Sequence, residues 1–465
     1  MEFRFNEATA KEVTHMNSVT QRIAAFTSAL VFDQLPAGVR EKSKVSLLHN
    51  LGMALAGGSM IGSTLRYAEA LGESGPTANA RLLLSGRAAS AETAAFVNAA
   101  LMHARAQDDV YFPGLTHVGA IVTPAVLAVG EQLGSTGREL MVALVAGYEA
   151  AGAISQGFAQ RTTARGFRAS GIYGGFGAAA GVARLMGLGA AATANALGIV
   201  TSMAAGTNQT WVAGTQEWQF QVGLAARNGI LAARLAAAGG TGAPDALEGS
   251  AGFYMAFMGD LERVAEVGTD LGSTWRSLDV TYKPYPVCAI LQGPVLQAVA
   301  LAHQHGIDGA KIAAVRLALP AAEAAYPGTD SRGPFSDIGA TLMSAQFCLA
   351  VALTQRTVKG ADLRRLEDPS LQNLLQRIEV NANSQLKARC FTLEIDLAGG
   401  QTVRHAFSPS GEPFNWDRAE VMGHLRSMLD ELPLGAERLE QLGAVVLSAE
   451  EHPVREIVSA CVIGA

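Results

Sequence analysis

The sequence predicts a mainly α-helical protein in which a large helical domain is interrupted by a smaller α+β lid domain. Apolar residues recur every three or four positions from about residue 19 to residue 238, as they do on helices. Alternation of apolar and polar residues, typical of strands, begins only after Thr274, and helical spacing resumes near the C-terminus. We therefore expect a discontinuous helical domain of residues 1–273 and 409–465 around a lid of residues 274–408.

Several segments of the first part carry clear helix signals. Residues 36–58 open with a helix-starting proline and close on paired glycines. Residues 90–107 and 135–158 are rich in alanine, and we expect both to form amphipathic helices. Residues 185–216 contain no charged side chain, but small residues dominate them, which favours a buried helix pair over a membrane span.

The lid is predicted from three segments with the two-residue period of strands. These are residues 311–320, residues 377–383 and residues 390–408, and the last reads as a hairpin that turns at residues 398–400. Between the first two lies an apolar helix over residues 338–354. Ligands commonly bind where two domains meet, so we expect a ligand cleft between the helical domain and the lid.

Composition excludes several classes of partner. Thirty-five basic and 41 acidic side chains give a net charge of -6, too weak and too evenly spread to attract nucleic acid or an anionic membrane. With 49% hydrophobic and 16% charged residues, the chain suits a homo-oligomer that buries surface between subunits. The four cysteines are widely separated, which predicts neither disulfides nor a metal site. The N-terminus lacks the apolar core of an export signal, so we expect a cytoplasmic protein.

Residues 175–180, GFGAAA, superficially match the GxGxxA fingerprint of dinucleotide-binding proteins. That fingerprint requires a preceding strand and an acidic residue some distance downstream, whereas predicted helices flank this segment on both sides. The sequence also lacks the GxxxxGKS, GxSxG and HExxH motifs. We therefore expect neither nicotinamide binding nor phosphate-loop or metalloprotease chemistry.

Residues 103–118 bring two carboxylates, a tyrosine and two imidazoles together in a chain that is poor in charge. In one interpretation, Asp108 and Asp109 end a helix and His117 caps the next one. In the other, His117 transfers protons and is oriented by a nearby carboxylate. The spacing alone leaves both interpretations open.

Two further segments offer cations. Arg165 and Arg168 precede a glycine-rich helix, where guanidinium groups and free N–H groups suit carboxylate binding, although such a pair is also common in a solvated turn. Lys283 lies between prolines at the predicted domain boundary, in residues 282–288. It could be held against an anionic ligand or could simply be exposed in a stiff linker.

Taken in order, these segments resemble the MmgE/PrpD family of lyases and isomerases that act on small polycarboxylic acids. The resemblance covers most of the chain and is carried by residues 94–109 with His117, AGYE at 146–149, RGF at 165–167, GLAARNG at 223–229, LEGSAGF at 247–253 and YKPYPVC at 282–288. It implies a large helical domain with an α+β lid, a homodimer formed through the helical domain, and a site without metal or organic cofactor.

The resemblance also implies roles for individual residues. His117 corresponds to the family's first active-site histidine, Lys283 to its lid lysine and Tyr326 to its lid tyrosine. Asp108 and Asp109 match the last two acids of the family's DFDD motif, and we expect one of them to orient His117. The chemistry implied is proton abstraction next to a carboxylate, with cations that hold the carboxylates of the substrate.

Six positions depart from the family pattern. Ala106 replaces the first acid of DFDD, Gln107 replaces its aromatic residue, and Val110 stands where a threonine is common. Arg168 replaces a histidine, and a guanidinium cannot act as an acid or base at neutral pH. Trp218 stands in place of a lysine and Gln221 in place of a frequent histidine. We therefore expect a more apolar cleft and a substrate with fewer carboxylates or an added hydrophobic group.

The resulting hypothesis is a cofactor-free, dehydratase-like lyase that acts on a small hydroxy or unsaturated polycarboxylic acid. An epimerase, isomerase or decarboxylase of the same family, and a catalytically silent ligand-binding relative, are the alternatives. The residues assigned to catalysis are His117, Lys283, Tyr326, Asp108 and Asp109, and those assigned to substrate binding are Arg165, Arg168, Trp218 and Gln221.

Overall fold

The computed structural model describes residues 18–61, 64–71, 79–411 and 413–463, which form a mainly helical architecture with a four-stranded sheet. The predicted fold class is thereby confirmed. The N-terminal segment in which we expect no export signal lies outside the described residues.

The first part of the chain is a stack of helices with one very short hairpin, β1 (Ala80–Arg81) and β2 (Ala88–Ala89), that the sequence did not signal. Its helices are α1 (Val19–Ala29), α2 (Ala37–Gly57), α3 (Thr64–Ala70), α4 (Ala91–His103), α5 (Gly119–Leu133), α6 (Gly137–Ser155), α7 (Ala159–Ala164), α8 (Ala169–Leu185), α9 (Ala190–Thr201), α10 (Gln209–Ala213), α11 (Glu217–Ala237) and α12 (Phe253–Met258).

Helix α4 leads directly into the site. It starts where the Ser90 side chain accepts a hydrogen bond from the Thr93 N–H, and it ends at His103. The prediction of an amphipathic helix over residues 90–107 is wrong, because every residue of α4 except Glu92 is buried. The physical reason is that α4 packs against α2, α5 and α11 at once, so it has no side facing solvent.

The glycines of residues 175–180 lie in the middle of α8 and serve helix packing. A Cβ atom on Gly177 would lie 2.7 Å from the carbonyl oxygen of Gly147 in α6, which is too close for any side chain. Helix α8 packs against α5, α6, α9 and α11. Helix α7, and not a strand, comes directly before α8, so the segment lacks the strand that a dinucleotide fingerprint requires.

The uncharged residues 185–216 contain α9 and α10 rather than one long helix. Helix α9 packs against α1, α8 and α11 with half of its residues buried, whereas Val212 of α10 is 64% exposed, so the predicted burial of both helices holds only in part. None of the helices within the described ranges combines the length and the apolar composition that crossing a bilayer requires.

The lid contains a mixed sheet of order β4–β3–β5–β6, in which β3 and β4 are parallel and the other pairs antiparallel. The predicted hairpin is confirmed, with Leu397 and Gln401 paired across the turn. Helices α13 and α16 pack on the sheet. The elements are α13 (Gln292–Gln304), β3 (Ile312–Pro320), α14 (Ala321–Ala324), α15 (Ile338–Met343), α16 (Ala345–Gln355), α17 (Pro369–Leu375), β4 (Ile378–Asn383), β5 (Phe391–Leu397) and β6 (Thr402–Phe407).

The chain then returns to the helical domain through α18 (Arg418–Ser427), α19 (Ala436–Leu447) and α20 (Val454–Ala460). Helices α18 and α19 pack on α2, and α20 packs on α5. The C-terminal segment therefore packs on helices from the first part of the chain.

Candidate active site

A cavity of about 420 Å³ lies where the helical domain meets the lid, within the size range of small-molecule sites. The helical domain contributes His103, Val110, Phe112, His117, Arg168 and Trp211 to its wall. The lid side contributes Lys283, Cys288, Glu323, Tyr326, Met343 and Arg389. Residues from the three segments singled out in the sequence therefore converge on one space.

The loop after α4 brings two imidazoles to one carboxylate. Ala106 adopts a left-handed φ of 49°, which turns the chain back immediately after the helix. Asp108 Oδ1 then lies 2.7 Å from His103 Nδ1, and Asp108 Oδ2 lies 2.9 Å from His117 Nδ1. All three groups are buried except for part of the His117 ring.

Arg168 determines which nitrogen of His103 carries the proton. Its Nη2 lies 2.6 Å from His103 Nε2, and a guanidinium can only donate, so Nε2 accepts. The proton of the neutral ring is then on Nδ1 and is donated to Asp108. Burial lowers the pKa of His103 to about 4, with Asp108 opposing, so this ring is neutral at physiological pH.

His117 is left with one open nitrogen. Because a carboxylate only accepts, the short contact to Asp108 means that His117 Nδ1 carries the proton and that Nε2 has a free lone pair. Among the described residues, none hydrogen-bonds to His117 Nε2. Burial and then Lys283 lower the pKa of His117 to about 3, against the effect of Asp108. The ring is therefore a neutral base at the cavity wall.

Asp108 stays ionised although it is fully buried. Burial alone would raise its pKa, but His103, His117 and Lys283 together hold that pKa well below the usual value. The carboxylate can therefore stabilise positive charge that develops on the His117 ring. This is the arrangement in which a buried acid orients a histidine base.

Lys283 reaches this network from the segment between the domains. Mutual backbone hydrogen bonds of 3.0 Å between Val110 and Thr281 fix that segment beside the loop after α4. The Lys283 ammonium donates to the carbonyl oxygen of Ala106 and lies 3.3 Å from His117 Nδ1. Burial lowers the pKa of Lys283, while Asp108 favours its charged form.

Arg168 precedes the first residue of α8, so the start of the glycine-rich helix aims it at the cavity. Its guanidinium donates to the carbonyl oxygen of Trp218 at 2.6 Å and lies 5.1 Å from the ring centre of Trp211. Burial lowers the pKa of Arg168 to about 10, and the side chain remains cationic at neutral pH.

On the lid side, burial raises the pKa of Tyr326 to about 12, which keeps its hydroxyl protonated.

Asp109 points away from the cavity. Its Oδ1 accepts from the N–H of Gly119 in α5, and its Oδ2 accepts from Asn50 and from the Tyr148 hydroxyl at 2.6 Å. The two interpretations of residues 103–118 therefore both hold in part, since Asp109 binds the start of a helix and Asp108 orients His117. Asp109 does not contact His117, so we correct its assignment to catalysis. We also correct the idea that His117 caps the next helix, because the N-cap residue of α5 is Val118.

Three residues assigned to substrate binding do not line the cavity. Arg165 is exposed at the end of α7, because the turn before α8 directs it to the surface. Trp218 is fully buried behind His103, with ring centres 4.9 Å apart, because α11 carries it into the core. Gln221 lies behind Arg168 and donates to the Thr207 carbonyl oxygen. Only Arg168 of the four is in position to touch a ligand directly.

Sequence reasoning assigned no role to His103, which completes the network, nor to Cys288, Glu323 and Arg389 on the lid side of the cavity. His103 was visible as the second imidazole of residues 103–118. Its contact with Asp108 depends on the left-handed turn at Ala106, which the sequence does not signal because alanine rarely adopts that conformation. The lid residues come from separate elements that only the folded sheet brings together.

His103, Asp108 and His117 also have the composition of a metal site, with their ligand atoms within 4.8 Å of one another. The observed bonding does not fit a cation. Both Nδ1 atoms that face Asp108 carry protons, and the cationic side chains of Arg168 and Lys283 adjoin the group. The group is therefore held together by hydrogen bonds in which Asp108 accepts from both imidazoles.

Residues 21–264 match the MmgE/PrpD N-terminal domain, and residues 285–462 match the MmgE/PrpD C-terminal domain. The chain belongs to the MmgE/PrpD family. His117 lies in the N-terminal family domain and Tyr326 in the C-terminal one, and Lys283 lies in the short segment between them. The cavity thus lies at the junction of the two MmgE/PrpD domains.

Curated relatives within the family include cis-aconitate decarboxylases. The enzyme of Aspergillus terreus (strain NIH 2624 / FGSC A1156) is 27% identical over 384 residues, which are 78% of each chain. The enzyme of Homo sapiens is 30% identical over 199 residues, 42% of this chain and 40% of the human one. The enzyme of Mus musculus is 27% identical over 248 residues, 51% of this chain and 49% of the mouse one.

Proposed function

We propose that the protein is a lyase that acts on a small carboxylic acid in the interdomain cavity by moving a proton at a carbon atom next to a carboxylate. The observation that carries the proposal is the open, unprotonated Nε2 atom of His117, held by ionised Asp108 beside two buried cations. A neutral base beside cations is what abstraction of a carbon-bound proton requires. Membership of the MmgE/PrpD family supports the same class of chemistry.

Each residue has a role that follows from its position. Arg168 and Lys283 bind the carboxylate of the substrate and stabilise the negative charge that develops as the proton leaves. His117 takes the proton on Nε2, and Asp108 stabilises the imidazolium that forms. Tyr326, with its protonated hydroxyl on the opposite wall, donates a hydrogen bond or a proton to the departing group. The reaction needs no group beyond these side chains.

Loss of carbon dioxide is the first candidate for the overall reaction, because the similar proteins are cis-aconitate decarboxylases. In a decarboxylation the bonding electrons remain with the substrate when carbon dioxide leaves, so a carbon atom of the substrate must be protonated. The Lys283 ammonium and the Tyr326 hydroxyl are the donors on the lid side of the cavity. The side chain that donates is then reprotonated from water, and His117 stays neutral in this step.

Loss of water is the second candidate, and the protonation state of His117 favours it. A base whose pKa lies near 3 is unprotonated in the resting site and is ready to accept a proton rather than to give one. Dehydration begins with that step, and the hydroxide that departs from the adjacent carbon can take a proton from Tyr326 or Lys283. Return of the proton to the same carbon would instead give epimerisation.

Proton NMR of the purified protein in deuterium oxide with a panel of di- and tricarboxylic acids tests the proposal. Deuterium at the carbon next to a carboxylate without net product indicates epimerisation, a new alkene signal indicates dehydration, and loss of a carboxylate indicates decarboxylation. Thermal stabilisation by an acid that shows none of these changes would support a silent binding protein instead. The His117→Gln variant, which keeps a polar side chain but no base, is the matched control.

A further inference from the structure

Another cavity, which we call the polar cavity, lies between the helical domain and the lid and has a volume of about 400 Å³. No described residue lines both this cavity and the active-site cavity. The helical domain contributes residues of α3 and α11 and of the segments that precede them, and the lid contributes Arg364 and the start of α15. The volume lies within the range of small-molecule sites.

A buried amide without a partner lines the polar cavity. Gln219 lies in the first turn of α11 and is only 3% exposed. Within the part of the chain that the structure describes, its side-chain oxygen and nitrogen form no hydrogen bond, although both remain reachable from the cavity. Buried polar side chains normally have a hydrogen-bond partner. The amide of Gln219 therefore offers a donor and an acceptor to a molecule in the cavity.

Two guanidinium groups line the same space, one from each domain. Arg66 of α3 is exposed, and its side chain pairs with none of the described residues. Arg364 of the lid donates through Nη2 alone, to the carbonyl oxygen atoms of Ser59 and Met60 at 3.0 and 2.5 Å. A guanidinium carries five N–H groups. Most of the donors of this pair are therefore left for a ligand.

The polar cavity carries more positive than negative charge. Asp337 is the one acid in its described wall, against the guanidinium groups of Arg66 and Arg364. Asp337 Oδ2 accepts from Gln216 Nε2 at 2.9 Å, and Oδ1 accepts from the N–H of Gly339 at 3.1 Å. Neutral groups thus engage both oxygen atoms of this carboxylate. A wall with a net positive charge attracts a small anion.

The rest of the wall is largely apolar. Met60, Ile61 and Ile338 line the cavity and are themselves buried. The ring of Tyr67 packs edge-to-face on Phe220, with ring centres 5.0 Å apart. The carbon atoms of a ligand can pack against these groups. The cavity therefore suits a molecule with a charged end and a short carbon part better than a bare ion.

We propose that the polar cavity is a second ligand site, which binds a small organic anion through its carboxylate or phosphate group. The oxygen atoms of the anion accept from the guanidinium groups of Arg66 and Arg364 and from the amide of Gln219. Arg66 and Gln219 belong to the helical domain and Arg364 belongs to the lid, so the bound anion links the two domains. The inference is independent of the proposed function, because it uses none of the residues assigned to proton transfer.

Isothermal titration calorimetry of the full chain with inorganic phosphate, succinate and succinamide tests the inference. Succinamide has the shape of succinate without its charge, so it isolates the contribution of the anion. Phosphate or succinate should show a binding component whose affinity falls roughly 10- to 100-fold in Arg66→Gln, because a charge-assisted hydrogen bond is lost. A fall for phosphate alone identifies a phosphorylated ligand, and a fall for succinate identifies a carboxylic acid.

Two further variants locate the binding component. Gln219→Leu removes the donor and the acceptor at this position and should weaken the same component roughly two- to ten-fold. Arg455→Gln, at an exposed position on α20 outside the cavity wall, is the matched control for Arg66→Gln and should bind like the unmodified protein. Circular dichroism checks that each variant is folded. Equal affinity of Arg66→Gln, Gln219→Leu and Arg455→Gln for phosphate and for succinate would overturn the inference, as would succinamide binding as tight as that of succinate.

Hydrogen–deuterium exchange followed by mass spectrometry tests whether the anion links the two domains. The bound anion should slow exchange of the backbone amides of α15, whose first residue lines the polar cavity, and of α3 on the opposite side. The slowing should persist in Arg455→Gln and disappear in Arg66→Gln. Equal exchange with and without phosphate and succinate at saturating concentration contradicts a site between the domains. Turnover in the NMR experiment depends on the active-site cavity alone, so a negative result here leaves the lyase proposal standing.

Discussion

At the scale of single residues, the site depends on how Asp108 divides its two oxygen atoms. One oxygen accepts from His103 and the other from His117. Arg168 extends this series of hydrogen bonds by donating to Nε2 of His103. Each hydrogen bond fixes the proton position of the next group. The arginine that departs from the family pattern therefore takes over an orienting task, although it cannot transfer protons itself.

Replacing His117 by alanine should lower kcat/KM by roughly 10²- to 10⁴-fold, because this removes the group that accepts the proton. The comparison uses the acid that gives turnover in the NMR experiment, and circular dichroism checks that the variant is folded. His305→Ala, at an exposed position, is the matched control and should behave like the unmodified protein. Full activity in His117→Ala would remove this residue from the mechanism.

The pH dependence of kcat/KM should lack an acid inflection near the ordinary histidine pKa of about 6.5. The pKa of His117 is lowered to about 3, so the neutral base persists as the pH falls and is lost only near that value. We expect kcat/KM to be nearly constant between about pH 5.5 and pH 8. A tenfold fall per pH unit beginning near pH 6.5 would contradict the assigned protonation state.

Part of this site could be predicted from sequence. His117, Lys283 and Arg168 lie in segments with an unusual density of polar groups or prolines, Tyr326 is identified through the family resemblance, and all four line the cavity. The direction of Arg165 and Trp218 could not be predicted, since a side chain on a turn or a helix faces the cavity or leaves it according to tertiary packing. Spacing identifies the neighbourhood of such residues but not their orientation.

At the scale of elements, Asp109 joins three helices. Its carboxylate accepts from the N–H of Gly119 at the start of α5, from Asn50 of α2 and from Tyr148 of α6. A carboxylate at a helix start satisfies a backbone donor that would otherwise be buried without a partner. Because His117 lies just before α5, this junction also sets the position of the base.

Replacing Asp109 by alanine should lower the free energy of unfolding by about 3 kcal/mol, because several buried donors lose their acceptor. Urea denaturation followed by circular dichroism measures the change. Asp33→Ala, whose carboxylate is exposed and paired only at the surface, is the control and should change stability by less than about 1 kcal/mol. Equal stability of the two variants would show that Asp109 does not hold the junction.

Element boundaries show where local sequence signals are sufficient. The helix over residues 36–58 and the hairpin at residues 398–400 were predicted because proline and glycine mark their ends. The apolar helix over residues 338–354 is instead two helices, since Ser344 adopts an extended conformation and caps the second through the Phe347 N–H. A serine within an apolar run is a weak signal, and the packing of the lid decides that the chain breaks there.

At the scale of the whole molecule, α11 presents an apolar stripe to solvent. Leu224, Leu231 and Leu235 are 43%, 38% and 43% exposed, and their spacing places them on one side of the helix. Exposed leucines grouped on one helix face are typical of a subunit contact. This stripe supports the proposal that the chain forms a homodimer through its helical domain.

Replacing Leu231 by arginine should shift the protein from dimer to monomer, because a charge would be buried at the centre of the contact. Light scattering coupled to size-exclusion chromatography measures the molar mass. Leu296→Arg, at a position 41% exposed on lid helix α13, is the matched control and should remain dimeric. A monomeric unmodified protein, or equal dissociation of both variants, would contradict a contact through α11.

The vacant lone pair on His117 keeps the ring ready to receive hydrogen. At neutral pH almost every molecule holds the ring uncharged, so the reaction does not wait for the protein to lose a proton first. The same low pKa makes the charged ring a strong acid, so the ring keeps a hydrogen taken from a ligand only briefly. The protein therefore changes how fast the forward and reverse reactions reach balance, and not where that balance lies.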